Sequence, residues 1–368
     1  MLKKELKIGI VGATGMVGQK CLDLLQDDYE HFNVKNLRLF ARASSAGRVF
    51  PFFENDLVVE EYQLSEMSQC DVLFFAVDSE VSKKYIPELS QKGVLCIDKS
   101  SAYRENTEIP LIVPEVNWDE FLIEKLKKNP VIACPNCCVI PLVMILKPLH
   151  DEFILKRVVI STYQSVSGSG KIGCETLANE IQSSFENDSV LLYEKSTYPK
   201  PIAFNVLPFV TSILENGDTD EEDKIKKETK RILNLENLKI SATSVRVPVY
   251  IGHSESVTLE FEKKFDLEKV FKKLSKFPGV KIVCEHQSFL KNDDIQTENE
   301  NIDENNFGEF VSPYEAQGKN DIFVSRIRKT DVFENGISLW IVSDNLRKGA
   351  ALNAIQTLDK CVQNGFFN

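Results

Sequence analysis

Three thiols fall within one short segment, Cys134-Pro135-Asn136-Cys137-Cys138. An apolar run, Val131 to Ala133, precedes it, and a longer apolar stretch, Val139 to His150, follows. A strand running into a helix puts Cys137 at a helix N-terminus, where the helix field favours a thiolate and lowers the thiol pKa. Three chemistries compete for such a cluster. A structural metal site would need a second Cys/His pair at ligand spacing, and the sequence offers none. A redox C-x-x-C pair is the second, with Cys134 as the resolving partner of Cys137. The third is a covalent nucleophile.

A second cluster bears on that choice. Gly12-Ala13-Thr14-Gly15-Met16-Val17-Gly18 lies between the first apolar strand and the first helical stretch. Glycines let a phosphate approach the backbone closely, and the helix start points N–H groups at it. The spacing is G-x-x-G-x-x-G, so tight strand–helix packing is the competing reading. Further on stands Ala41-Arg42-Ala43-Ser44-Ser45-Ala46-Gly47-Arg48. An acidic residue here would read the 2′-hydroxyl of NAD, whereas cations and hydroxyls suit a 2′-phosphate. The reading is NADP(H), held by Gly12, Ala13, Thr14, Gly15, Met16, Val17, Arg42, Ser44 and Ser45; a solvated turn is the alternative. A nucleophile beside a nicotinamide site accounts for both clusters.

The elements that must position these residues follow from periodicity. Leu6–Val11, Leu37–Phe40, Val72–Ala76, Leu95–Ile97, Leu111–Val113 and Val131–Ala133 read as short buried strands. Val17–Gln26, Val81–Gln91 and Asp119–Lys127 fit helices between them, so this third is an α/β parallel sheet covered on both faces. Beyond residue 133 the strands Lys156–Ser165, Ile240–Tyr250, Ser256–Glu262, Asp321–Ile327 and Gly336–Val342 are longer and alternate in polarity, as in a sheet with one wet or partner-covered face. Two domains are expected: 1–133, completed by a C-terminal helix (346–368), and 134–345. Asn216-Gly217-Asp218 is a turn before a helix whose Thr219 and Glu222 have capping-box spacing. Lys291–Asn306, almost devoid of apolar residues, reads as a solvated loop.

Composition narrows the partners. The 368 residues are 43% hydrophobic and 27% charged, with net charge −11, a balance that disfavours nucleic acid or an anionic membrane. The longest apolar run, Val139–Leu146, is broken by Pro141 and is too short to span a bilayer. Nine cysteines without framework spacing argue against a disulfide scaffold. No secretory pattern opens the chain, so a cytoplasmic enzyme is expected.

The segment Pro135-Asn136-Cys137 resembles the active-site segment of the aspartate-semialdehyde dehydrogenases. So, in the same order, do the loop Gly12 to Gly18, Ser100-Ser101-Ala102-Tyr103-Arg104, Val113-Pro114-Glu115-Val116-Asn117, Tyr163-Gln164-Ser165-Val166-Ser167-Gly168, Arg246-Val247-Pro248 with Gly252-His253-Ser254, and Asp344-Asn345-Leu346-Arg347-Lys348-Gly349-Ala350-Ala351. Two departures stand out: Cys138 replaces a small hydroxyl residue, and the Arg and Ser of 42–48 are ordered differently.

The resemblance implies a glyceraldehyde-phosphate-dehydrogenase-like fold: a Rossmann-type parallel-sheet domain for NADP(H), and an α+β catalytic and dimerisation domain with a mixed sheet. It implies reductive dephosphorylation of L-aspartyl-4-phosphate to L-aspartate 4-semialdehyde, feeding lysine (through diaminopimelate), threonine and methionine synthesis, in a homodimer. Cys137 would be the nucleophile, His253 the general acid/base, and Gln164 the residue that holds substrate for attack. Arg246 would clamp the α-carboxylate and Glu221 the ammonium. Arg104, Lys224 and Asn136 would bind the departing phosphate; Ser167, Gly168 and Asn345 would lie beside the nicotinamide. For Glu221 and Lys224 a solvated i,i+3 pair is the bland alternative. His31, His150 and His286 read as ordinary histidines. Two rivals are another acyl-phosphate reductase, of the N-acetyl-glutamyl-phosphate type, and a non-catalytic NADP-sensing protein. The Arg246–His253 segment argues against the first, and the presence of Cys137 and His253 against the second.

Overall fold

A computed structural model describes residues 3–119, 121–187, 189–283 and 310–368. The expected loop Lys291–Asn306, and His286, lie outside the described residues. The chain divides into two compact units, 1–136 with 350–368, and 137–349.

The first unit opens with β1 (Lys4–Val11), α1 (Met16–Leu24) and β2 (Phe32–Ala41). There follow β3 (Val49–Phe52), β4 (Asn55–Glu61), α2 (Leu64–Met67), β5 (Val72–Phe75), α3 (Ser79–Gln91), β6 (Leu95–Asp98), α4 (Pro114–Asn117), α5 (Leu122–Lys128) and β7 (Val131–Ala133). The sheet runs β3-β4-β2-β1-β5-β6-β7 and is parallel except where β3 folds back on β4. Strand β5, Val72–Phe75, is apolar and wholly buried, as a strand covered on both faces must be.

Two elements differ from expectation. Leu111–Val113 is not a strand: Pro110 and Pro114 bracket it, so only Leu111 makes a single parallel bridge to Ala133. The β3–β4 hairpin is additional. Pro51 lies within β3, which is tolerated because β3 is the edge strand.

The second unit contains α6 (Val139–Phe153), β8 (Leu155–Gln164), α7 (Gly170–Asn187), α8 (Asp220–Leu233), β9 (Lys239–Arg246), β10 (His253–Phe261), α9 (Leu267–Ser275), β11 (Val280–Ile282), α10 (Pro313–Ala316), β12 (Ile322–Thr330) and β13 (Gly336–Ser343). Its sheet, β11-β12-β13-β10-β8-β9, is mixed, with β8·β9 and β11·β12 parallel and the rest antiparallel. Helix α6 is buried continuously from Val139 to Leu146, as a helix apolar on all sides requires. The capping box forms: Thr219 Oγ1 accepts from Glu222 N–H at 3.3 Å, and Glu222 Oε2 accepts from Thr219 N–H at 2.6 Å. Glu222 also receives Ser244 N–H at 2.7 Å, which ties α8 to β9. After β13 a π-helical turn, Arg347–Ala351, leads into α11 (Leu352–Gln363), whose Leu352, Ile355 and Leu358 join the first unit's core.

Candidate active site

Cys137 occupies the turn that enters α6, with Cys138 as N-cap. It is half-buried, whereas Cys138 is fully enclosed. A Cβ added at Gly349 would come within 3.2 Å of Cys137 O, so this glycine permits the close approach of its segment. The thiols of Cys137 and Cys138 and an imidazole nitrogen of His253 all lie within 4.8 Å of one another. Three donors in such a group raise the question of a metal. A structural zinc site needs four, and among the described residues no further His, Cys, Asp or Glu joins the group. Burial pushes the Cys138 thiol well up, and its hydrogen bond and proximity to Cys137 add to this.

His253 opens β10 and is 1% exposed. Its Nδ1 accepts Ser165 N–H at 3.0 Å, and Ser165 Oγ lies 3.1 Å from the same nitrogen. An Nδ1 that accepts puts the proton of the neutral ring on Nε2. Nε2 is buried and has no hydrogen-bond partner among the described residues.

Ser165 also orients Arg246, the last residue of β9, whose Nη1 donates to Ser165 O at 2.7 Å. The guanidinium is 5% exposed and lies over the Tyr198 ring at 5.9 Å, while its Nε has no hydrogen-bond partner among the described residues. A Cβ at Gly168 would lie 2.7 Å from Arg246 Nη1 and 3.3 Å from His253 Nε2. Gly168, expected beside the cofactor, therefore adjoins both of these side chains.

Gln164 pairs directly opposite Arg246 across β8·β9. Its Nε2 donates to Glu221 Oε1 at 3.0 Å and to Thr162 Oγ1 at 3.2 Å. Glu221, 5% exposed, is thus no solvated surface residue, and Lys224 turns instead to Asp220 one turn earlier. Ser167 and Asn345, also expected at the nicotinamide, bond to each other at 3.0 Å. Asn345 Oδ1 further accepts Gly252 N–H at 2.8 Å, which fixes the residue before His253.

The remaining candidates belong to the first unit. Gly12 adopts φ +88°, and a Cβ at Gly18 would lie 2.2 Å from Gly12 O, so the turn admits only glycine at these two places. The N–H groups of Gly12 and Ala13 both go to Phe40 O, at 2.8 and 3.1 Å, and that of Gly15 goes to Gly12 O at 3.0 Å. Thr14 follows this turn, and α1 begins at Met16 behind the N-cap Gly15. Arg42 is exposed at the end of β2, ahead of a 3-10 turn holding Ser44 and Ser45, and pairs with Asp78, the N-cap of α3.

Arg104, 8% exposed, donates to Ser100 O at 3.1 Å and Lys99 O at 2.8 Å. Asn136 is 6% exposed. Asp98, raised by burial against the lowering hydrogen bonds of Ser100 and Ser82, carries Cys134 N–H on its carbonyl at 2.7 Å. Lys99 donates to Pro135 O at 2.6 Å. Cys134 is fully buried, and burial lifts its thiol to about 11.

Sequence reading passed over Ser165, Lys99, Asp78, Tyr198 and Glu255. Glu255 had a legible signal, since two residues beyond His253 on a strand is the same face. The others act through long-range contacts that carry none.

The family profile described as "Semialdehyde dehydrogenase, NAD binding domain" matches residues 7–123, and "Semialdehyde dehydrogenase, dimerisation domain" matches 146–348. The aspartate-semialdehyde dehydrogenase of Aquifex aeolicus is 39% identical over 360 residues, 98% of each chain. That of Rickettsia conorii is 39% identical over 366 residues, 99% of each chain. The crystal structure of aspartate semialdehyde dehydrogenase II from Vibrio cholerae, complexed with ASA, superposes with a TM-score of 0.85 at 32% identity, over 99% of this chain and 100% of that one. With similarity running the length of the chain, and the cysteine, histidine and arginine of its motifs gathered in one unit, the chain belongs to the aspartate-semialdehyde dehydrogenase family.

Proposed function

We propose that this chain reduces L-aspartyl-4-phosphate to L-aspartate 4-semialdehyde with NADPH, through a thioester on Cys137. One observation carries the residue roles: the Cys137 thiol lies within 4.8 Å of an imidazole nitrogen of His253, in the unit that also holds Arg246, Gln164 and Glu221. Arg246 clamps the substrate α-carboxylate through its unpartnered Nε edge, and Glu221 receives the ammonium. Gln164, braced by Glu221, holds the acyl group for attack. The Cys137 thiolate forms a bond to the acyl carbon, and the C–O bond to phosphate breaks. Arg104, Asn136 and Lys224 receive the departing phosphate.

When bound, NADPH supplies the hydride that reduces the thioester. Its phosphates would be held along the glycine loop and the start of α1, at Gly12, Ala13, Thr14, Gly15, Met16 and Val17, and its 2′-phosphate by Arg42, Ser44 and Ser45. His253 then holds the proton on the hemithioacetal oxygen at Nε2. It takes that proton back as the C–S bond breaks, releasing aldehyde and the Cys137 thiolate. Ser167, Gly168 and Asn345 keep the loop segments around His253 in place. The catalytic domain is 134–345, the NADP-binding domain 1–133 completed by 346–368. A second copy covers the free face of the mixed sheet to make a homodimer, and the enzyme works in the cytoplasm, feeding lysine, threonine and methionine synthesis. Among the described residues no helix is long and apolar enough to cross a membrane.

The direct assay is phosphate-dependent reduction of NADP⁺ by aspartate semialdehyde; absence of turnover, or equal turnover with N-acetyl-glutamate semialdehyde, would overturn the reading. Cofactor choice has its own test. Arg42→Glu reverses the charge offered to the 2′-phosphate and leaves Asp78 unopposed. It should lower kcat/KM for NADPH by about 10–100-fold, the worth of a charge-assisted hydrogen bond, with a much smaller effect on NADH. Wild-type kinetics that do not distinguish NADPH from NADH would refute this assignment.

A further inference from the structure

Glu255 is two residues along β10 from His253 and faces the same way. The residue is 1% exposed, and neither carboxyl oxygen has a hydrogen-bond partner among the described residues. Its direct neighbours across the sheet, Thr162 on β8 and Ile341 on β13, carry no charge. The titratable groups around it are Cys137 and Cys138 at the start of α6, Glu221 on α8, which bears on Cys138, and His253 on its own strand. Every other titratable group named here, apart from His253, is an acid that becomes negative on losing its proton.

A lone carboxylate shut away from water is costly, and a native protein tolerates such a group chiefly by keeping it protonated. Burial first, and the nearby Cys137 second, push the Glu255 carboxyl well up. The site therefore accommodates one negative charge at most, because two neighbouring anions in a desolvated site strongly oppose each other.

We propose that Glu255 is a positioning residue that works as a neutral acid, keeping its proton beside Cys137 so that the single negative charge of this buried site is the thiolate's. This rests on Cys137 being the nucleophile. An ionised Glu255 would oppose the thiolate and also the substrate, which brings a carboxylate and a phosphate. A protonated one leaves the nucleophile's charge unopposed. No co-reactant is required, since the carboxyl neither gains nor loses its proton during turnover.

The test is the pH dependence of Cys137 alkylation by iodoacetamide in the full-length protein, with the labelled residue identified by peptide mapping. Wild type and Glu255→Gln, which keeps the shape and cannot ionise, should both titrate in one step at the same pH, because the wild-type carboxyl is already neutral. A wild-type profile with a second, delayed step, or a variant profile complete at clearly lower pH, would show Glu255 ionising ahead of Cys137 and overturn the proposal. Infrared spectroscopy of the wild type then separates a neutral acid coupled to Cys137 from a purely structural glutamate. Label on another cysteine would overturn the nucleophile assignment and this inference with it.

The infrared measurement needs no variant, so it holds whether or not Glu255→Gln folds. The carbonyl band of a protonated carboxylic acid should be present at neutral pH, and should titrate at lower pH once Cys137 is alkylated and its charge removed. A band insensitive to alkylation would reject the inference.

Discussion

Cys137→Ser is expected to lower turnover by on the order of 10⁴-fold or more while NADPH affinity stays at the wild-type level. A serine hydroxyl is a far weaker acid and nucleophile than a thiol, and its acyl ester is a poorer acceptor of hydride than a thioester. The geometry isolates Cys137 from its neighbours. Cys134 and Cys138 are both fully enclosed, and burial raises both thiols, Cys134 to about 11. A raised, enclosed thiol is a poor nucleophile. Burst kinetics and mass spectrometry of the trapped thioester provide the measurement. Residual turnover within tenfold of wild type, or a thioester on Cys134 or Cys138, would remove Cys137 from the mechanism. The same enclosure bears on oxidation, since a thiol inaccessible to solvent is a slow resolving partner for a sulfenic acid.

The parallel sheet was legible in the sequence because its strands contain short buried apolar runs between helical stretches, unbroken at Val72–Phe75. The β3–β4 hairpin was not, because Pro51 argues against a strand until it is known to lie at an edge. Helix α9 carried a readable pattern, Leu267, Val270, Phe271 and Leu274 behind the N-cap Asp266. Its lysines obscured that pattern. Candidate site residues were readable wherever chemistry demands a residue type locally, as at Cys137 before a helix. The contacts that orient them are a different matter. Ser165 meets Asn345 across 180 positions and His253 across 88, and only the sheet register brings them together. At Gly12 and Ala13 the structure adds what the sequence did not show, that their N–H groups serve the fold at Phe40 O. A glycine motif tells where a phosphate can approach without telling which amides remain to bind it.

Arg246→Lys should lower kcat/KM for aspartate semialdehyde by roughly 10²–10³-fold without loss of thermal stability beyond about 1 kcal/mol. Charge is conserved, so the loss measures geometry. The guanidinium performs two tasks at once: Nη1 holds Ser165 O at 2.7 Å, and the buried Nε edge stays available for a carboxylate. An ammonium has three donors but no planar fork, so it cannot meet the carbonyl and both carboxylate oxygens in the guanidinium's geometry. Gly168 leaves no slack, since even a Cβ there would meet Nη1 at 2.7 Å, so the planar group cannot be imitated by a shifted lysine. Ser165 also donates to His253 Nδ1, so releasing its carbonyl loosens the imidazole, and the defect should appear in kcat as well as KM. A substrate analogue lacking the α-carboxylate separates the two tasks. It should be turned over poorly by wild type, and Arg246→Lys should add to that loss only the part that comes through Ser165 and His253. If the full loss persists with the analogue, Arg246 does not touch the carboxylate and its role is confined to orienting the histidine.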